Sequence, residues 1–432
     1  MHESRGLGDV YKRQVLNLRW VILALLFLAL FAGFQGGRYY MANRLQELGI
    51  ASALALFALG AWRGLFLLPS GEWRRWVFGP VLLIGGIMLV SATVFALQHE
   101  GRFVYSFFSA REFLLAFMGP GVYLLCRTGL PVGDVRKVAW FTIFALMVNY
   151  LWFYNTLDLS AAFFSSDHTV SNLVTYDEWR GFRLKPPLFA IMVGLLGALM
   201  MVFQAKGFRY FLFALVVLGL AGYIWSIVQF RATLATIVLA LLVYPVFLRR
   251  YSRLALLVVL SPLAILSMPV VADQALQTFL GAEGGGIRAR AFMAAFEYLE
   301  THWLFGAGED SAYGDSYQDI VAPYFFPSDI GLVGTAFKYG IIGLFLYLWM
   351  HGKIGIALWR ANISFRERNG FHDPLLWALL LFMTAQTVNL MLNPGLAYAQ
   401  GLPLGALALA LARVETFQDS SAKWGYICVA IC

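Results

Sequence analysis

Apolar runs dominate the pattern of the chain. About a dozen long ones follow one another, and a single sizeable polar stretch, residues 273–328, interrupts them. Runs such as residues 81–97 and 254–271 contain no charge and approach the ~20 residues that cross ~30 Å of hydrocarbon. Because that layer offers no water, the backbone must bond to itself, which predicts helices. The runs are apolar on every face, which excludes alternating barrel strands.

The pattern therefore predicts an all-α, polytopic integral membrane protein with about 12 transmembrane helices. Residues 15–272 are expected to hold helices 1–9, residues 273–328 a long outward loop, residues 329–413 helices 10–12, and residues 414–432 a cytoplasmic tail. The helices are expected near residues 20–35, 50–69, 76–97, 113–129, 138–156, 187–204, 209–227, 233–248, 254–272, 330–350, 375–393 and 399–413. Composition agrees, because 60% of the residues are hydrophobic and 13% charged, against about 25% charged in a soluble domain.

Both ends of the chain have unusual sequences. The stretch Asp9-Val10-Tyr11-Lys12-Arg13-Gln14 resembles the translation of a transposase adapter end used in sequencing libraries. We therefore expect residues 1–14 to be a sequencing artefact and the natural start to differ. The three cysteines follow no disulfide or metal-binding spacing, which indicates passive thiols.

The distribution of Lys and Arg predicts the orientation. Alternate connections are rich in basic residues, for example Arg249, Arg250 and Arg253, whereas the other set is richer in acids. The positive-inside rule places the basic set and both termini in the cytoplasm, and the long loop on the outer side of the membrane. The net charge of +8 is then explained by membrane orientation, with no nucleic acid implied.

An amphipathic helix is predicted inside the outward loop, at residues 287–305. Phe292, Phe296, Leu299 and Trp303 recur at three- and four-residue steps. Arg288 lies one turn before Phe292 on that apolar face, where a charge is expensive, so we expect it to have a partner or a function. Arg290 falls on the wet face, where it is either a substrate-binding residue or a solvated helix charge.

Two further basic residues are candidates for binding a substrate. Arg231 stands between two apolar helices on the outward side, where its guanidinium either reaches the lipid headgroups or binds phosphate oxygens. Lys338 lies in the outer half of a predicted span, where a charge is costly. The alternatives for Lys338 are a substrate contact, an interior ion pair and a side chain that reaches the surface.

These residues resemble the signature of the O-antigen ligase and polymerase superfamily. The similarity covers an arginine after an apolar helix (Arg231), then Arg288-x3-Phe292, then the Gly306-Ala307-Gly308 turn, then Gly340-Ile341-Ile342-Gly343. Order and spacing agree over roughly residues 187–350, whereas the preceding helices match only in being hydrophobic.

The resemblance implies a membrane glycosyltransferase of cell-surface polysaccharide biosynthesis. Such an enzyme lies in the bacterial inner membrane with its active site on the periplasmic side. It takes a glycan from an undecaprenyl diphosphate carrier and joins it to a lipid A core (ligase) or a growing polysaccharide (polymerase). It implies no metal and no other cofactor, and partners limited to the lipid-linked donor, the acceptor and membrane lipids. Arg231 and Arg288 would hold the diphosphate, because fixed cations stabilise the charge that develops on it.

One departure concerns the catalytic base. The ligases carry a His-Asn pair eleven residues before the first glycine of Gly-x-x-Gly, and here that position is Asp329. A carboxylate accepts a proton from a sugar hydroxyl, although its ordinary pKa near 4 makes it a weak base unless burial raises it. Asp329 is alternatively a helix N-cap. Glu309 and Asp310 are the other candidates for the base or for binding the acceptor.

The remaining alternatives concern the loop and the function as a whole. Glu309, Asp310, Asp315 and Asp319 supply oxygen ligands for a metal, but their spacing fits no calcium loop, so solvated acids are the simpler interpretation. His302 is expected to have a structural or supporting role at the substrate site. A transporter or flippase is the rival class, typically with matched halves and broken helices, and a non-catalytic assembly subunit is the third.

Overall fold

The computed structural model describes residues 3–40, 43–99, 103–171, 173–177, 181–204, 207–228, 287–310, 316–323, 325–390 and 401–431. The expected helices at residues 233–248 and 254–272, together with Arg231, lie outside these residues. The α-helices described are Glu3–Gly33, Asn43–Leu67, Ser70–His99, Phe103–Ser109, Met118–Arg127, Val132–Thr156, Leu159–Phe163, His168–Ser171, Leu188–Phe203, Phe208–Val228, Ile287–His302, Tyr317–Ile320, Gly331–Asn369, Pro374–Asn389 and Gly401–Ile431. Gly36–Tyr40, Ala110–Phe117 and Pro327–Asp329 are 3-10 helices.

The described part of the chain has the helical membrane character that the apolar runs predict. Five of its helices are long and apolar enough to cross a membrane: Leu45–Leu67, Ser70–His99, Val132–Thr156, Phe208–Val228 and Gly331–Asn369. At most 39% of the apolar window of each span is buried inside the protein, and in Phe208–Val228 only 28% is. Exposed apolar area on this scale marks a surface that meets lipid.

A short β-ribbon interrupts the helices within the predicted connection after Val132–Thr156. Strands Val174–Asp177 and Gly181–Leu184 pair antiparallel, with Val174 opposite Leu184 and Asp177 opposite Gly181. They are the only strands among the residues that the structure describes, and the all-α expectation missed them. Each strand is only four residues long, which is too short for a period-2 pattern to stand out.

Several helix bounds also differ from the expected ones. The helix predicted at residues 330–350 extends from Gly331 to Asn369, and the one at residues 399–413 extends from Gly401 to Ile431. Polar side chains beyond the apolar run continue a helix as well as apolar ones do, so the end of a run is not the end of a helix. The run at residues 113–129 becomes the 3-10 segment Ala110–Phe117 followed by Met118–Arg127, with Pro120 in the first helical turn, where proline is tolerated.

The chain divides into two compact units. The first comprises Met1–Leu82, Leu114–Pro187 and Pro403–Cys432. In this unit the helix Asn43–Leu67 packs closely against Met118–Arg127 through two glycines, because a Cβ on Gly60 would lie 2.8 Å from the Gly121 carbonyl oxygen. Small residues that let backbones approach are typical of helix packing in membranes.

The second unit, Leu83–Phe113 with Leu188–Leu402, contains the predicted outward loop. In it the helix Pro374–Asn389 packs against Leu188–Phe203 and against the helix Gly331–Asn369, which also contacts Ile287–His302. We call Ile287–His302 the loop helix and Gly331–Asn369 the kinked helix, because its backbone leaves helical geometry at Gly340 (φ 65°, ψ −171°).

Candidate functional site

The loop helix occupies most of the segment in which an amphipathic helix was expected. Its most buried residues are Ala291 and Ala295, whereas Met293, Phe296 and Trp303 are mainly exposed. Of the two surroundings expected for the apolar face, the membrane or the helix bundle, Phe296 and Trp303 therefore do not have the second. Small alanines let this helix approach the core closely, and the larger apolar side chains form an outer stripe suited to a membrane surface.

The turn after the loop helix is hydrogen-bonded to the backbone on both sides of the break in the kinked helix. Ala307 N donates to Phe337 O at 2.7 Å, Gly308 N to Lys338 O at 2.9 Å, and Ile341 N to Trp303 O at 2.8 Å. Gly306 and Gly340 both have positive φ, and a Cβ on Gly340 would lie 2.1 Å from the Leu304 carbonyl oxygen. Only glycine fits this approach, so the Gly-x-Gly turn and the first glycine of Gly-x-x-Gly form one joint.

This joint places an ion pair inside the unit. Lys338 Nζ donates to Glu309 Oε1 at 2.5 Å, and the two side chains are only 23% and 13% exposed. Tyr339 donates its hydroxyl to Glu309 Oε2 at 2.6 Å. Ser106 donates to the Glu309 carbonyl oxygen. The structure thus shows the interior ion pair that was one of the alternatives for Lys338.

Asp310 and Tyr317 complete the group. Tyr317 N donates to Asp310 Oδ2 at 3.3 Å, and the Tyr317 hydroxyl donates to the Gly308 carbonyl oxygen. Burial raises the pKa of the Asp310 carboxyl, an effect that the positive charge of Lys338 partly offsets. We call these residues, Glu309, Asp310, Tyr317, Lys338 and Tyr339, the Glu309 cluster.

His302 contributes to an aromatic stack beside the turn. Its ring lies 4.5 Å from that of Tyr298, centre to centre, with an interplanar angle of 23°. The Tyr298 hydroxyl donates to Gln98 Oε1 at 2.7 Å and lies 3.1 Å from His99 Nε2. These contacts tie the end of the loop helix to the helix Ser70–His99.

The other residues predicted for the site differ in how far they are buried in the protein. Arg288 is half-buried and shares a helix face with Ala291 and Ala295, whereas Arg290 is exposed on the loop helix. Asp329 is exposed and closes the 3-10 turn Pro327–Asp329 through its backbone N–H, which donates to Phe326 O at 2.9 Å. The N-cap of the kinked helix is Ile330, so the N-cap alternative for Asp329 was wrong.

The acidic loop residues have protein partners. Glu309 is held by Lys338 and Tyr339, and Asp319 accepts from the hydroxyl and the backbone N–H of Ser316 in a capping box. Within the described ranges, no three His, Cys, Asp or Glu side chains converge as a metal site would require. Asp315 is outside those ranges.

Three residues that belong to the Glu309 cluster or contact it were not predicted from the sequence. Tyr339 could have been noticed, because it adjoins Lys338 in an otherwise apolar run. Tyr317 lies in a polar loop, and no sequence feature distinguishes it from the other polar residues there as a residue of the site. Ser106 is 203 residues from Glu309 along the chain, and no local pattern links the two.

The cluster combines two carboxylates with different surroundings. Glu309 accepts from Lys338 and Tyr339, while burial raises the pKa of Asp310, so Asp310 holds a proton more tightly than an exposed aspartate does. A carboxyl group whose pKa is raised by burial is a candidate for acid–base chemistry. Comparison of the chain with protein-family models and with curated proteins finds no match.

Proposed function

We propose that this chain is a membrane glycosyltransferase of the O-antigen ligase and polymerase type, with about 12 spans, cytoplasmic termini and a periplasmic active site. The observation that supports this best is the joint between the Gly306–Gly308 turn and Gly340. Two motifs of the resemblance lie more than thirty residues apart in sequence, yet they bond backbone to backbone and hold a cluster of ionisable residues.

The proposed reaction uses the cluster and two arginines. The acceptor hydroxyl oxygen attacks the anomeric carbon of the donor sugar, and its proton passes to a carboxylate. The anomeric C–O bond breaks, and undecaprenyl diphosphate leaves with the electron pair. Arg231 and Arg288 stabilise the negative charge on the departing diphosphate. Its phosphate oxygens suit the planar donors of arginine.

Asp310 is the best-supported base among the three carboxylates considered. A base works best when its pKa lies near the working pH, and burial moves the pKa of Asp310 upward. Glu309 is engaged by Lys338 and Tyr339. Asp329 remains a candidate from its position in the sequence, but it is exposed.

Replacing Arg288 or Arg231 by alanine is expected to lower the rate of glycan transfer a few hundredfold, since one lost electrostatic contact costs ~3–4 kcal/mol of transition-state stabilisation. Polysaccharide from cells is scored on gels, and undecaprenyl diphosphate released by the purified protein is measured by mass spectrometry. Arg209→Ala, at an exposed arginine of the second unit, is the matched control. Unchanged product from both Arg288→Ala and Arg231→Ala would end the proposal.

The rate is expected to depend on pH through Asp310. A base acts when deprotonated, so the rate should fall as pH drops through a pKa that burial has raised above the ordinary value near 4. Asp310→Asn should reduce the rate by about 10²–10⁴-fold and remove this acid limb. Glu300→Gln, at an exposed carboxylate of the loop helix, should keep the full rate and the acid limb of its pH dependence. An acid limb unchanged in Asp310→Asn would assign the base to another residue.

One observation favours the rival transporter class. The kinked helix breaks at Gly340 beside a buried pair of ionisable residues, and broken helices with interior charges are typical of transporters. The two classes are separated by reconstituting the pure protein in vesicles with a lipid-linked glycan. Movement of that lipid across the bilayer without glycan joining would favour the transporter.

A further inference from the structure

A cavity lies away from the Glu309 cluster, between the C-terminal part of the kinked helix and the start of Pro374–Asn389. Its volume is about 340 Å³, and its lining includes Trp359, Asn362, Arg366, Glu367, His372 and Trp377. This volume is at the lower end of the range for ligand pockets, ~300–1,000 Å³. It suits a small polar group better than a whole lipid.

A buried acceptor lies on the wall of this cavity. Asn362 is 2% exposed, and its Nδ2 donates to Leu358 O at 2.9 Å and to Leu376 O at 3.1 Å. These two bonds fix the orientation of the amide. Its Oδ1 is buried and has no hydrogen-bond partner among the described residues. Buried carbonyl oxygens are nearly always satisfied, so a ligand with an N–H or O–H donor fits here.

The rest of the lining supplies both signs of charge. Arg366 and Glu367 are exposed at the rim. His372 Nδ1 is a second buried polar atom that lacks a partner within the described part of the chain. Burial and the nearby Arg366 charge lower the pKa of His372 to about 4, so at neutral pH this ring is uncharged. The cavity therefore offers one fixed cation, one carboxylate and neutral polar groups.

The position along the kinked helix places the cavity at headgroup depth. The apolar run of the kinked helix ends near Met350, exposed charged residues begin at Lys353, and Asn362 follows nine residues later. Trp359 is 41% exposed there, as an interfacial tryptophan is. Ile356 and Ile363 are also largely exposed on this part of the helix, and they offer an apolar track beside the cavity.

We infer that this cavity binds the headgroup of a phospholipid that combines a phosphate with a primary ammonium, as phosphatidylethanolamine does. Arg366 donates to the phosphate oxygens, and the ammonium donates to Asn362 Oδ1 and lies near the Glu367 carboxylate. The acyl chains follow Ile356 and Ile363. A choline headgroup has no N–H to donate to Asn362, and a glycerol headgroup has no cation for Glu367.

The test uses the full-length protein in detergent, titrated with phosphatidylethanolamine, phosphatidylglycerol or phosphatidylcholine. Bound lipid is counted by native mass spectrometry, and thermal stability is followed in parallel. Phosphatidylethanolamine is expected to bind at least tenfold more tightly than phosphatidylcholine. Arg366→Ala should weaken it roughly 10- to 100-fold, the range for one charge-assisted hydrogen bond. Arg368→Ala, two residues further along and also exposed, should leave the affinity unchanged.

Three outcomes would overturn the inference. Equal affinity for the three lipids would show that the cavity does not select a headgroup. Preference for phosphatidylcholine would indicate that the tryptophans bind a quaternary ammonium through cation–π contacts. Binding of soluble phosphoethanolamine without binding of the lipid would assign the site to a small solute. Because Arg366 and Glu367 are exposed, Arg366→Ala and Glu367→Gln are expected to fold, and unchanged melting without lipid checks this.

Discussion

Replacing Lys338 by methionine is expected to lower the free energy of unfolding by about 3–5 kcal/mol, because it leaves the Glu309 carboxylate buried without its cation. Denaturant titration of the purified protein in detergent measures this change. The variant should also shift the acid limb of the transfer rate to higher pH. Lys338 lowers the pKa of Asp310, so its removal lets that pKa rise further.

The control for this prediction is the double variant Glu309→Gln with Lys338→Met. Replacing a whole buried pair by neutral side chains is often without net cost, so the double variant should recover most of the stability that Lys338→Met loses. If the single and double variants were equally unstable, the loss would come from packing of the lysine stem rather than from an unpaired charge.

The second large effect is expected at Gly340. Gly340→Ala forces an L side chain into positive φ and puts its Cβ 2.1 Å from the Leu304 carbonyl oxygen. Backbone strain costs about 1–3 kcal/mol and overpacking a further ~1–3 kcal/mol. The melting temperature should therefore fall sharply, and glycan transfer should be lost, because the same joint positions Glu309 and Asp310.

Gly352→Ala is the matched control on the same helix. A Cβ at Gly352 would meet nothing within 4 Å, and its backbone is helical. Alanine is a better helix former than glycine by roughly 0.5–1 kcal/mol, so this variant should melt at the same or a higher temperature. An equal loss in both variants would mean that the whole helix resists substitution, and that the joint has no special role.

The class of fold could be predicted from the sequence, because hydrocarbon imposes one rule on every spanning segment. A charge-free run such as residues 211–225 has to be helical wherever it packs. The β-ribbon at residues 174–184 could not be predicted in the same way. Its strands lie in a polar connection, where water satisfies the backbone equally well in several conformations.

The candidate site was predicted only in part. Arg288 and Lys338 were singled out because charge is expensive near lipid, and Glu309 and Asp310 because they are carboxylates of the outward loop. His302 was expected only in a supporting role, and Gly306, Gly308 and Gly340 were singled out because they match a spacing. Which carboxylate pairs with Lys338 could not be predicted, since Glu309 and Asp310 are adjacent and chemically similar. Nor did any pattern indicate that Tyr339 and Ser106 would bind the same glutamate.

The amino-acid sequence by itself determined that the chain is rich in apolar helices suited to a membrane and which charges require an explanation. The cost of transferring apolar and charged groups between water and hydrocarbon depends on the residue alone. Only the tertiary structure decided that the turn at residues 306–308 is hydrogen-bonded to the backbone beside the helix break at Gly340. It also decided that Glu309, rather than Asp310, forms the ion pair with Lys338. Those choices depend on backbone approaches of under 3 Å between segments about thirty residues apart, which no local preference encodes.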